Sequence, residues 1–226
     1  MAELIVALDL DSADAAFRLL DKLPGVRWVK VGSVLMTREG APLVHALLAR
    51  GLHVFLDLKW HDIPNTVAGA VSAAGQLGVS LATVHTLGGR KMMEAAARAA
   101  AGQLRLVGVT VLTSHDDTSY SESIGRPGTV VRTEVVRLAG AARESGLDGV
   151  VCSPLEIAAV RATVGPAALV VVPGIRRPED GAGDQQRTAT PASAVRAGAT
   201  HLVIGRPILE AVDPLEAFQS LAGTAG

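Results

Sequence analysis

Four charged residues interrupt runs that are otherwise apolar and β-branched: Asp9 in LIVALDL, Lys30 in VRWVKVG, and Asp57 and Lys59 in HVFLDLK. An unpaired charge is costly to bury, so charges at such positions must pair with one another or do chemistry. Asp57 and Lys59 are two residues apart, which on a strand sends both side chains to one face, about 6.6 Å apart along the chain. Asp62 follows in the next loop. If the strand of Lys30 lies beside that of Asp57, an alternating Lys-Asp-Lys-Asp array results, and such an array compensates its own charge. It could be a buried ion network closing the mouth of a barrel, or a device for moving a proton. Lysine usage favours the second reading, because only four lysines (22, 30, 59 and 91) occur among 21 basic residues and two of them lie here. A guanidinium would serve a structural pair equally well but holds its proton too tightly to be a donor, whereas an ammonium can transfer one. Lys59 therefore reads as a catalytic acid.

A second constellation is PGIR at 173–176 and IGRP at 204–207, with GDQ at 183–185 between them. Glycines allow close backbone approach, and Arg206 at a helix start can pair with a phosphate dianion, helped by exposed N–H groups. Either motif alone reads equally well as a Gly-Arg turn with a solvated guanidinium. Together, at the ends of two successive strands, they favour a phosphate site. His61 beside the charged cluster and His85 at the end of the fourth strand-like run lack ligand spacing and read as hydrogen-bonded structural residues. No Gly-x-Gly-x-x-Gly follows the first strand, and neither a Walker sequence nor a Ser-centred nucleophile elbow is present, so cofactor-dependent chemistry has no support. The single cysteine, Cys152, excludes an internal disulfide and reads as a small buried residue in a protein of a reducing compartment.

These residues need a scaffold that brings strand ends together. Eight strand-like runs, at 4–10, 26–32, 53–59, 81–86, 104–112, 147–153, 169–175 and 201–206, alternate with Ala- and Leu-rich stretches of helical period at 12–22, 37–50, 64–77, 89–101, 129–145, 154–163, 190–197 and 207–222. Ser12 and the pair Ser153-Pro154 read as helix starts. Near-continuous apolar strands alternating with helices imply a parallel sheet covered by helices. Eight repeats in 226 residues predict one (β/α)₈ TIM barrel forming a single domain over 1–226, ahead of a doubly wound open sheet. Two polar stretches, 113–128 and 176–189, are expected as irregular active-site loops on the carboxyl-end face, where such barrels build their sites.

Composition excludes several classes. With 49% hydrophobic and 19% charged residues the chain is expected to be globular, and 21 basic against 22 acidic side chains, without a run of one sign, disfavours a nucleic-acid partner. The start MAELIVALDL lacks the form of a signal peptide, and no apolar stretch approaches the roughly 18 residues of a membrane span. A soluble cytoplasmic protein with no membrane partner is expected.

FLDLKWHDIPNT at 55–66 resembles the signature segment of the orotidine 5'-monophosphate decarboxylases, and the resemblance extends over nearly the whole chain. VALDL at 6–10, VKVG at 29–32, VLTS at 111–114, VPGIR at 172–176, AGDQ at 182–185 and VIGRPI at 203–208 follow in the order of the bacterial enzymes. Trp60 stands where Phe is more usual. The Asp-x-Lys-x-x-Asp core is shared with sugar-phosphate relatives, which typically carry a metal-binding Glu where this chain has Lys30. The resemblance implies a cofactor-free, metal-free carboxy-lyase of de novo pyrimidine biosynthesis, converting orotidine 5'-monophosphate (OMP) to uridine 5'-monophosphate (UMP) and carbon dioxide. It implies that Asp9 and Lys30 hold the ribose hydroxyls, Asp57 faces the substrate carboxylate, Lys59 protonates carbon 6, and Thr113 or Ser114 contacts the pyrimidine. Gln185, Arg206 and the Gly205 amide would grip the phosphate, with Arg176 or its neighbour Arg177 near that loop, and phosphate binding would close the 176–189 loop. Asp62, Ile63 and Thr66 would reach into the partner's site of a homodimer with shared active sites. The competing readings are a magnesium-dependent 3-keto-L-gulonate 6-phosphate decarboxylase or hexulose-phosphate synthase, and a non-catalytic nucleotide-phosphate-binding barrel.

Overall fold

Eight parallel strands close on themselves in chain order, the first pairing with both the second and the eighth, so that the sheet has no edge. The computed structural model describes residues 2–177 and 188–225. The strands are β1 (Glu3–Ala7), β2 (Trp28–Gly32), β3 (His53–Trp60), β4 (Leu81–His85), β5 (Arg105–Val109), β6 (Gly149–Val151), β7 (Leu169–Val172) and β8 (His201–Ile204). Around them run α1 (Ala13–Asp21), α2 (Ser33–Ala49), α3 (Pro64–Gln76), α4 (Gly89–Ala100), α5 (Asp117–Ser123), α6 (Val131–Glu144), α7 (Ile157–Val164), α8 (Pro191–Ala197), α9 (Arg206–Leu209) and α10 (Pro214–Gly223). This is the (β/α)₈ TIM-barrel architecture that the alternation predicts. No helix among the described residues is long and apolar enough to cross a membrane.

The two-residue period of the strands divides the apolar side chains into two cores. Val6, Val29, Val54, Leu56, Ala82, Leu106, Val150, Val170 and Leu202 point outward and join the helices in one continuous cluster. Their strand neighbours Ile5, Ala7, Phe55, Leu81, Val107, Leu169, Val171 and Val203 fill the barrel interior. Because the interior positions are those of odd number in β1, β3, β4 and β5, the next odd residues toward the carboxyl end, Asp9, Asp57, Thr83 and Val109, follow the same column. The apolar plug is thus the floor of whatever stands at the barrel mouth.

Three expectations need correction. Strands β1, β5, β6, β7 and β8 end two or three residues earlier than the apolar runs do, with 110–112, 152–153 and 173–175 leaving the ladder and continuing as irregular chain at the mouth, whereas β2 ends where expected and β3 runs on to Trp60. The stretch 113–128 contains a helix, α5, capped by Asp116, whose carboxylate accepts the Ser119 N–H at 2.8 Å while Ser119 Oγ accepts the Asp116 N–H. The α2 segment starts at Ser33 and is broken at Gly40 (φ 64°), two residues before Pro42, and the last helical segment is two helices, with Asp213 capping α10. Both anticipated starts hold: Ser12 accepts from the Ala15 N–H, and Ser153 from that of Leu155.

Candidate active site

Directly above the apolar plug the interior columns become charged. Lys30 donates to Asp9 Oδ1 at 2.8 Å and lies 3.8 Å from Asp57 Oδ2, while Lys59 Nζ donates to Asp57 Oδ1 at 2.9 Å. The side chains of Lys30 and Asp57 are only 10% and 14% exposed, whereas that of Lys59 is 40% exposed, toward the mouth. Neither buried charge is left alone, which is the condition for tolerating them. Removing one member would strand the others, a loss of about 3–5 kcal/mol where the remaining charge stays buried.

Lys59 is placed by an irregularity of the sheet. The β3–β4 ladder pairs Leu56 with Ala82 and then Trp60 with Val84, so β3 carries extra residues across the register break. Lys59 adopts φ 51°, in the left-handed region that a residue with a Cβ seldom enters. Its N–H donates to Thr83 Oγ1 at 2.8 Å, and the Thr83 hydroxyl donates to Asp57 Oδ1 at 3.1 Å. Sequence reasoning missed Thr83; the available signal was a polar residue inside the apolar run LATVH, in phase with the interior column.

A cavity of about 770 Å³ opens over this cluster, lined by Asp9, Lys30, Asp57 and Lys59 and also by Arg176, Gly205 and Arg206. That volume suits a drug-sized or nucleotide-sized ligand. Leu10, Phe55, Val109, Val111 and Thr113 add apolar and hydroxyl surface to the lining. Of the doubled arginine, Arg176 lines the cavity; it is 9% exposed, and its buried Nε has no hydrogen-bond partner among the described residues. A buried guanidinium with an unused donor is suited to receiving an anion.

The sites anticipated from sequence therefore divide. Asp9, Lys30, Asp57, Lys59, Thr113, Arg176, Gly205 and Arg206 share one cavity. Gln185 lies outside the described residues. Ser114 is exposed and does not line the cavity. Asp62, Ile63 and Thr66 are exposed and absent from their own chain's cavity wall; Ile63 is 67% exposed, and Asp62 Oδ1 accepts the Ile63 N–H at 2.6 Å. Within one chain the charge array is accordingly Asp9-Lys30-Asp57-Lys59, with Asp9 rather than Asp62 as the second carboxylate.

His85 stacks on His61 with ring centroids 5.4 Å apart, and its Nδ1 accepts the Leu87 N–H. Burial, then the neighbouring His61 and Lys59, lowers its pKa to about 4, so it is neutral at physiological pH. Cys152 borders the cavity but is 1% exposed, and burial pushes its thiol pKa well above the ordinary value, which leaves it inert.

Residues 2–221 match the family model described as Orotidine 5'-phosphate decarboxylase / HUMPS family. The chain belongs to this family. Among curated relatives of the orotidine 5'-phosphate decarboxylase / HUMPS family, the orotidine 5'-phosphate decarboxylase of Halorhodospira halophila is 54% identical over 223 residues, covering 97% of this chain and 94% of that protein. That of Laribacter hongkongensis is 47% identical over 230 residues, covering 100% and 94%. Among solved structures of the family, the orotidine 5'-phosphate decarboxylase from Lactobacillus acidophilus superimposes with a TM-score of 0.87 at 36% identity, covering the whole of both chains.

Proposed function

We propose that this chain converts OMP to UMP and carbon dioxide by cofactor-free decarboxylation. The observation that carries the reading is the Lys30-Asp57-Lys59 chain of ion pairs, set on an apolar floor and sharing one cavity with two arginines. In the reaction the bond from carbon 6 to the carboxylate breaks, its electron pair stays on carbon 6, and carbon dioxide leaves. Lys59 then gives a proton to carbon 6 and recovers one from solvent. A carbanion of this kind has no conjugated sink, so fixed charge must stabilise it, and an ammonium already paired and positioned costs no reorganisation when the charge develops. Asp57 faces the substrate carboxylate, Asp9 and Lys30 hold the ribose hydroxyls, and Thr113, which lines the cavity where Ser114 does not, meets the pyrimidine. The phosphate is held by Arg206, Arg176, the Gly205 amide and Gln185.

The sugar-phosphate decarboxylases of the runner-up reading need a divalent cation at the carboxylates. The residues here do not fit one, because the Lys30 ammonium already lies between Asp9 and Asp57. The direct test is to add OMP to protein dialysed against a strong chelator and follow the orotate absorbance with release of carbon dioxide. Turnover should be unchanged by the dialysis. Activity lost and restored only by magnesium would move the assignment to the sugar-phosphate relatives, and binding of UMP without turnover of OMP would leave a non-catalytic barrel.

Arg206→Ala should weaken phosphate recognition, raising KM for OMP roughly 10- to 100-fold, as expected for one lost charge-assisted hydrogen bond. Decarboxylation of the phosphate-free nucleoside by the same variant should be little altered. An equal loss with both substrates would remove Arg206 from the phosphate site.

The protein is further proposed to act as a homodimer in which Asp62, Ile63 and Thr66 complete the partner's site. Their exposure beside the mouth, outside their own cavity, supports this arrangement.

A further inference from the structure

We infer that Thr83 is a positioning residue whose hydroxyl holds the backbone of Lys59 and the carboxylate of Asp57 in one geometry; the inference rests on the decarboxylase reading above. Thr83 is fully buried on β4 between Ala82 and Val84, in the column that Leu81 begins inside the barrel. A valine would have the same shape and would bury no hydroxyl, and a buried hydroxyl is unfavourable unless it is hydrogen-bonded. Here it is used twice. At the register break between Leu56 and Trp60, the Lys59 N–H is directed to Thr83 Oγ1 at 2.8 Å. This side-chain acceptor satisfies the N–H at a residue whose φ of 51° departs from extended strand geometry.

Accepting from Lys59 directs the proton of Thr83 to its other neighbour. That proton goes to Asp57 Oδ1 at 3.1 Å, the same oxygen that accepts from Lys59 Nζ at 2.9 Å, and Oδ2 is the oxygen nearer Lys30, at 3.8 Å. One hydroxyl thus fixes the rotation of the carboxylate and, through the backbone, the root of the side chain that pairs with it. Both ends of the Asp57-Lys59 pair share one anchor. Loss of that anchor should leave the charges in place but their aim toward the reacting carbon imprecise, and misplacement of about 1 Å can cost about 100-fold in rate.

The experiment compares wild type, Thr83→Val and Thr83→Ser in steady-state decarboxylation of OMP, alongside hydrogen exchange of the Lys59 amide in the wild-type protein. Thr83→Val should lower kcat about 10- to 100-fold with KM within about threefold, and Thr83→Ser, which keeps the hydroxyl, should return kcat to within about threefold of wild type. The Lys59 amide should be protected from exchange although it stands at a break in the ladder. A valine variant with wild-type kcat, or a folded serine variant as slow as the valine one, would overturn the inference. So would a freely exchanging Lys59 amide, and that result is decisive even if Thr83→Val fails to fold. If wild-type protein did not turn over OMP at all, the decarboxylase reading would fail, while protection of the Lys59 amide would still decide whether Thr83 holds that backbone.

Discussion

Lys59→Arg is expected to decarboxylate OMP almost as slowly as Lys59→Ala, although arginine keeps the positive charge. The reason lies in proton affinity: carbon 6 must receive a proton, and a guanidinium does not readily give one up. General acid catalysis accounts for roughly 10²- to 10⁴-fold in rate, so both variants should fall at least that far in kcat. The larger planar fork also cannot keep the geometry in which Nζ lies 2.9 Å from Asp57 Oδ1. Steady-state assays of the two variants at saturating substrate check this. If Lys59→Arg retained a substantial part of wild-type turnover, Lys59 would act through its charge and the proton would come from elsewhere.

Lys59→Ala and Asp62→Ala should each be nearly inactive, and mixing them should restore activity. In a two-fold dimer with shared sites, each site pairs Lys59 of one chain with Asp62 of the other, so in a mixed dimer one site collects both lesions and the other neither. Random exchange makes about half of the dimers mixed, and about a quarter of all sites should then be intact. A site built from one chain cannot be rescued in this way. The measurement is to dissociate, mix and reassociate the variants, with each variant treated alone as control. If tagged subunits exchange and no activity appears, Asp62 serves its own chain.

The barrel was legible because each β-branched run is bounded by turn residues and separated from the next by helical period. The charged cluster was legible for a related reason: the two-residue period that buries Phe55 carries Asp57 to the same interior face, and adjacent strands bring Lys30 to it. Strand ends were overestimated where the chain stays apolar after leaving the ladder, since Val111 and Ile175 are buried at the mouth without being strand residues. The helix α5 was hidden by a Ser- and Asp-rich composition that also describes loops, and only the Asp116-Ser119 cap announced it. Composition and spacing carried no sign that Lys59 takes a left-handed φ, because lysine has no preference for it and the register break arises between two strands. Nor could spacing tell that Asp62 is exposed and absent from the cavity lining of its own chain. Which of two adjacent arginines faces the cavity was likewise decided only by the fold, which lines it with Arg176.

If Lys59 gives a proton to carbon 6 of the pyrimidine, then by microscopic reversibility the same ammonium and amine must act on the product. UMP incubated with the protein in deuterated water and followed by proton NMR tests this without any decarboxylation. Wild-type protein should replace the hydrogen on carbon 6 with deuterium, and Lys59→Ala should leave it untouched over the same time. Wild-type protein that decarboxylates OMP but does not exchange this hydrogen, or a Lys59→Ala variant that exchanges it at the wild-type rate, would contradict proton transfer by Lys59.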